Sequence, residues 1–396
     1  MPDNILPPRP VKAPLELQNV PYVRYAIFGN DIFSLAVWYD LVFKQKVDAQ
    51  LFCWQASPQR MDDWFWQGPS WLRGQVNLNV LRELYPAVNF KAFQDPLFYK
   101  ETQWRSFHSR MKPQPLLGEE AYFTAAGYDF AWGDLYPFWQ EDKVLEHASI
   151  QNKIPLAIQP LKASDEVSPA WWQLEFSDGS VVQCQDLIWG GSKGEFKKLL
   201  NDGERTLADQ VIRHCLQAEE LAIWSLRFSL DPLPELMRNT FFIPLSYTYD
   251  EGHFIGEITH TETSTLLRVM RILKPQDATE EQAAKDHRYL KRILQKIFSL
   301  SKKQLMREQM QLKLLDPAPV DDQGGAIYDL MAQDHLRMVG MAAALPPACL
   351  AHPAVAYIAR GVLSTRAVLA QIEKNTQASL QDVPAEEKEI FTDSVL

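Results

Sequence analysis

Three groups of residues in this chain have types and spacing that could do chemistry. The first is Ala26-Ile27-Phe28-Gly29-Asn30-Asp31-Ile32-Phe33-Ser34-Leu35-Ala36, an apolar run that breaks at a glycine and resumes. A strand that turns through glycine into a helix presents free backbone N–H groups, which suit an anionic ligand. Here a carboxylate stands two residues past Gly29, where such an anion would lie. Two like charges about 4 Å apart repel by about 4 kcal/mol at an effective dielectric near 20. Asp31 can satisfy the helix N-terminus itself. The expectation is that it stands in for an anion, paired with Arg60. As a plain N-cap, it would carry no such meaning.

The second group is His253, Glu257 and His260. The run between them reads as a strand, so His253 and Glu257 share one face and His260 takes the other. No metal site is expected there. The third is Gly190-Gly191-Ser192-Lys193 after an apolar run. Its spacing is not that of a phosphate-binding P-loop. It reads as a loop beside a cleft. The aromatic stretch Trp64-Phe65-Trp66-Gln67-Gly68-Pro69-Ser70-Trp71 is open to two readings, a pocket or docking patch and plain core that fills a void.

The elements that must position these groups follow from pattern. Residues 22–28 (YVRYAIF) form a strand, residues 31–44 a buried helix and residues 50–54 a second strand. This β-turn-α-β unit is the opening of a dinucleotide-binding sheet. Residues 171–176 and 181–188 form a hairpin around Asp178-Gly179. Residues 279–300 form an amphipathic helix, with Thr279 and Gln282 as a capping box and Leu290, Ile293, Leu294 and Ile297 on one face. A last long helix runs over 352–374.

Composition bounds the rest. The chain has 396 residues and a net charge of -10, which disfavours nucleic acid as a partner. The four cysteines, Cys53, Cys184, Cys215 and Cys349, are far apart. They lack zinc-ligand spacing and suggest a reducing compartment. No apolar run approaches the roughly 18 residues of a membrane span. Residues 1–21 are Pro-rich and unlike a secretory signal, so a cytoplasmic location without membrane insertion is expected.

The segment at Gly29 resembles the fingerprint of the flavin-dependent amine oxidases, with Gly29, Asp31 and Ser34 at its three glycine positions. Further matches follow in the same order along residues 22–373. In Gln55-Ala56-Ser57-Pro58-Gln59-Arg60-Met61-Asp62-Asp63, Ala56 and Arg60 agree with that family, Gln55 replaces its ribose-binding glutamate and Asp62-Asp63 replace two glycines. Gln55 could still accept a ribose hydroxyl. Asp186-Leu187-Ile188-Trp189-Gly190-Gly191 is similar to the strand that closes the FAD domain. Arg337-Met338-Val339-Gly340-Met341 resembles the strand and turn beside the flavin, and Arg360-Gly361-Val362-Leu363-Ser364-Thr365-Arg366 a helix start beside it. Trp224 falls at the place of a lysine near the flavin.

The resemblance implies an α/β fold, with a Rossmann-like FAD/NAD(P)-binding domain and a mixed α+β substrate-type domain. The former would comprise 22–70, 140–205 and 320–375, and the latter 71–139 and 206–319. A Pro-rich arm (1–21) and an acidic tail (376–396) would flank them. The cofactor implied is FAD if any. Gly29, Asp31, Ser34, Gln55, Arg60, Gly340 and Gly361, of which Asp31, Ser34 and Gln55 depart from the family, read as a vestigial cofactor site, and the expectation is no cofactor and no catalytic residue. The leading function is then a pseudo-oxidase that binds a protein partner or a small molecule. The alternatives are an FAD-dependent amine oxidase with atypical contacts, and a nucleotide- or metabolite-sensing module.

Overall fold

The structure is a computed structural model. It describes residues 20–53, 72–92, 97–100, 103–106, 125–140, 142–161, 171–200, 221–230, 240–244, 253–260, 265–298, 305–315, 335–340 and 353–381. Strand β1 (Tyr22–Phe28) leads through Gly29 into helix α1 (Ile32–Tyr39) and on to β2 (Ala49–Cys53). Strands β3 (Leu72–Arg73) and β4 (Lys91–Ala92) flank helix α2 (Gln75–Leu84), and β5 (Leu97–Lys100) and β6 (Gln103–Ser106) form a hairpin. Next come β7 (Gly127–Asp129), the single turn α3 (Trp132–Leu135), β8 (Ile150–Asn152), β9 (Pro155–Pro160), β10 (Trp172–Phe176), β11 (Val181–Trp189) and α4 (Lys193–Leu199). The rest comprises β12 (Leu221–Leu230), β13 (Thr240–Pro244), β14 (His253–His260), β15 (Thr265–Leu273), α5 (Glu280–Ile297), β16 (Leu305–Leu315), β17 (Leu336–Met338) and α6 (Pro353–Gln381).

Two large sheets result. The first runs β8-β2-β1-β11-β10-β9, with β17 also beside β11. Strands β8, β2, β1, β11 and β17 are mutually parallel, and β10 and β9 add antiparallel strands at one end. Ala26, Ile27 and Phe28 at the end of β1 are all buried, as expected of a parallel strand covered on both faces. The second sheet runs β16-β12-β15-β14-β13-β5-β6 and is antiparallel except where β5 joins β13. A continuous core joins Tyr25, Ile27 and the α1 side chains to Phe98, Phe242, Ile255, Met270 and Ile272 of the second sheet.

Local chemistry accounts for the main elements. The hairpin β10–β11 turns at Asp178-Gly179, where Gly179 takes a left-handed φ of 80° and Asp178 accepts from the Ser180 N–H at 2.9 Å. Thr279 caps α5 by accepting from the Gln282 N–H at 3.2 Å. The reciprocal half of the expected capping box is absent, because Gln282 Nε2 donates to Asp286 Oδ1 at 2.7 Å. Asp286 also binds Arg271 at 2.6 Å, and the charge-assisted bond to this pair turns the Gln282 side chain away from the Thr279 N–H, from which it would have accepted. Thr279→Ala should therefore cost only the single N-cap bond, about 1 kcal/mol, read as a small drop in the urea midpoint.

Two expected boundaries are corrected. The helix expected over 31–44 is α1 followed by a π-helical turn, Asp40–Lys44, in which the Gln45 N–H reaches Asp40 O at 2.9 Å. The wider turn brings Phe43 beside Trp38 and His147. The last helix runs on past 374 to Gln381 and begins at Pro353, a residue preorganised for the first helical position. Gly361 thus lies well inside α6 and is not a helix start.

Candidate functional site

The carboxyl ends of β1, β11 and β17 meet at Gly29, Gly190 and Gly340. The Gly190 N–H donates to Phe28 O at 2.7 Å and the Val339 N–H to Trp189 O at 2.9 Å. In open parallel sheets ligands bind beyond these strand ends. Here α1 starts at that edge and α6 packs across it.

Asp31 is the N-cap of α1 and is 1% exposed. Its Oδ1 accepts from the Ser34 N–H at 2.8 Å and from the Ser34 hydroxyl at 2.9 Å. Its Oδ2 points at Gly340, where an added β-carbon would lie 2.9 Å from it. Gly340 has a left-handed φ of 69°, and its N–H donates to Ser364 Oγ of α6 at 2.9 Å. The Asp31 carboxylate thus lies between the first turn of α1 and the end of β17.

The neighbouring side chains fill the remaining space. Ser34 Oγ lies between two glycines, and added β-carbons would come within 1.9 Å of it from Gly29 and 2.1 Å from Gly190. The Phe33 ring lies on Gly361, where a β-carbon would stand 2.1 Å from ring atoms. Phe33 also contacts Tyr357, with centroids 5.7 Å apart, and Trp132, at 6.4 Å. Phe33 and Ser34 are fully buried.

Two titratable groups nearby, Cys53 and Tyr136, are held in their neutral forms. Burial, with the Asp31 charge, pushes the Cys53 thiol up to about 12, so it is not a nucleophile near neutral pH. Burial, then the Tyr85 phenol, pushes Tyr136 well above its ordinary value, and Asp31 adds to the effect. No group of three or more His, Cys, Asp or Glu among the described residues could hold a metal ion. The side chains of His253 and His260 lie outside those described, and Glu257 lies 3.4 Å from Arg268 across β14–β15. The third expected group is a capping box: Ser192 accepts from the Glu195 N–H at 3.0 Å and Glu195 accepts from the Ser192 N–H at 2.8 Å.

Solved structures share this arrangement of elements. A protein assigned as a protoporphyrinogen oxidase from Exiguobacterium sp. 255-15 aligns over 90% of this chain and 100% of its own, with TM-score 0.52 and 11% identity. Wild-type putrescine oxidase bound to putrescine aligns over 90% of this chain and 100% of its own, with TM-score 0.50 and 7% identity. The chain has the fold of the flavin-dependent amine oxidases. No family model and no curated protein matches its sequence. On this amine oxidase-like fold, five of the seven expected site residues, Gly29, Asp31, Ser34, Gly340 and Gly361, come together at the strand ends. Gln55 and Arg60, and with them the expected Asp31–Arg60 pair, lie outside the described residues, as do Trp64 to Trp71. Trp224 is in β12, opposite Arg271 of β15, and its side chain is outside those described.

Sequence reasoning missed Phe33, the residue that covers Gly361. Its signal was an aromatic inside the Gly29–Ser34 segment, where an added ring must point either into the helix-sheet packing or into the ligand space. Ser364, which binds the Gly340 N–H, lies in a segment matched to the family for other reasons.

Proposed function

We propose that this chain is a non-catalytic protein on an amine oxidase-like fold, which acts by binding a protein partner or a ligand other than FAD. The observation that carries the reading is the Asp31 carboxylate at the head of α1. A dinucleotide pyrophosphate needs that position for its own charge and for the backbone N–H groups there. Asp31 already accepts from the Ser34 N–H, and Phe33 covers Gly361 beside it. The residues at this end of the cleft therefore do not fit a flavin dinucleotide. The net charge of -10 favours a partner other than nucleic acid. Among the described residues, no helix is long and apolar enough to cross a membrane.

A second reading, a flavoenzyme with atypical cofactor contacts, is favoured by the likeness of the fold to putrescine oxidase. The visible absorption spectrum of the purified, undenatured protein separates the two. The expected result is a colourless protein that stays colourless when excess FAD is added and removed by gel filtration. A retained flavin band would overturn the non-catalytic reading and direct the search to an amine substrate.

A further inference from the structure

The first turn of α1 and the glycines around it fit one another pairwise. Asp31 faces Gly340, Ser34 enters the gap between Gly29 and Gly190, and Phe33 lies on Gly361. Each of the four glycines lacks room for a side chain because of Asp31, Phe33 or Ser34. These contacts span β1, β11, β17 and α6, the elements that border the ligand edge of the sheet.

We infer that Asp31, Phe33 and Ser34 form a built-in plug, in which the Asp31 carboxylate takes the place of a bound anion at the head of α1, facing Gly340 at the end of β17, without any ligand. The inference rests on the reading above and extends it to how the site is kept shut. A bound anion would neutralise the N-terminal N–H groups of α1 and bridge them to the facing elements. Asp31 does the first through the Ser34 N–H, and in place of the second its Oδ2 fills the space beside Gly340, whose N–H Ser364 holds. A capping serine or threonine would satisfy the helix and leave the charge position empty. The aspartate supplies the charge as well.

The plug makes the site latent. Once the carboxylate is removed, the same backbone should accept an external phosphate-type anion. The test uses the full chain, with inorganic pyrophosphate and ADP as probes, and follows the melting temperature. The wild type should not respond to either probe. Asp31→Gly should melt lower, and millimolar pyrophosphate should restore part of the loss, because a ligand that binds only the folded state stabilises it. Its affinity for pyrophosphate should exceed that of the wild type by at least roughly tenfold, the factor that about 1.4 kcal/mol of relieved repulsion supplies. Asp31→Ser keeps an N-cap and removes the charge, so it tests the same gain should the glycine variant not fold.

An Asp31→Gly protein that melts like the wild type would overturn the inference. So would variants that are destabilised yet no more responsive to pyrophosphate than the wild type. Neither result would touch the non-catalytic reading, which the flavin spectrum of the wild type decides separately.

Discussion

Arg337→Met should lower the stability of the protein by about 3–5 kcal/mol, the cost of stripping one partner from a buried ion pair. Arg337 on β17 binds the Asp186 carboxylate on β11, and both side chains are nearly inaccessible, at 3% and 6% exposure. His335 Nδ1 lies 3.2 Å from the same Asp186 oxygen, and its ring stacks on Trp171 with centroids 4.3 Å apart. The loss should come from an uncompensated charge rather than from lost volume. The double variant Asp186→Leu/Arg337→Met should therefore recover most of it, because apolar replacement of a whole buried pair is often close to neutral. Equilibrium urea unfolding of the three proteins decides the point. A double variant as weak as the single one would mean that packing is responsible.

The same pair gives a pH dependence with a defined sign. Burial alone would raise the Asp186 carboxyl, but the hydrogen bond from His335 and the charge of Arg337 outweigh it and hold the group below its ordinary value. A depressed carboxyl contributes stability that is fully present above the unfolded value of about 3.9 and is lost as pH falls through the folded value. In Arg337→Met the carboxyl loses its main charge partner and burial raises it. Protonation then favours the folded variant as pH falls. The gap between wild type and variant should narrow in acid, and a gap that widens below about pH 4 would contradict the account.

The second large effect is expected at Phe33 and Gly361. Phe33→Ala should cost about 3–5 kcal/mol, as a buried ring leaves a cavity. Gly361→Ala should cost about 1–3 kcal/mol through overpacking, since its methyl would stand 2.1 Å from the ring. The double variant should cost less than the sum, with a coupling of about 0.5–3 kcal/mol, because the new methyl enters the space the ring has left. Additive losses would show that the ring does not occupy that space.

The parts of the fold that were legible in the sequence are those set by local pattern. The β1-α1-β2 unit follows from a strand-like run, a glycine turn and a continuous apolar helix. The β10–β11 hairpin follows from its Asp-Gly turn, and the start of α5 from Thr279. The helix-cap role of Asp31 was legible because an N-cap is a short-range device. Three features were not legible, and each depends on contacts between elements. Gly361 was read as a helix start, yet its small size is required by a ring some three hundred residues earlier. Gln282 fits the capping-box pattern but turns to Asp286, whose side chain is held by Arg271 on β15. The order of the second sheet, with β5 and β6 at the far edge from β16, is set by packing that no local pattern encodes.

The position of β17 has a consequence for how the chain is made. The strand lies beside β11 and far from β1 in sequence, yet its pairing with β11 completes the first sheet. The roughly 150 residues between β11 and β17 take about 7–30 s to synthesise at about 5–20 residues per second. Throughout that interval Asp186 lacks its arginine, and the Leu187 N–H and the Trp172 indole lack the His335 carbonyl that accepts from both. The upper half of β11 is an open edge for as long, and open edges pair with other chains. A ribosome stalled before residue 335 would therefore carry a nascent chain with a sticky, half-finished sheet, which the emergence of β17 would close.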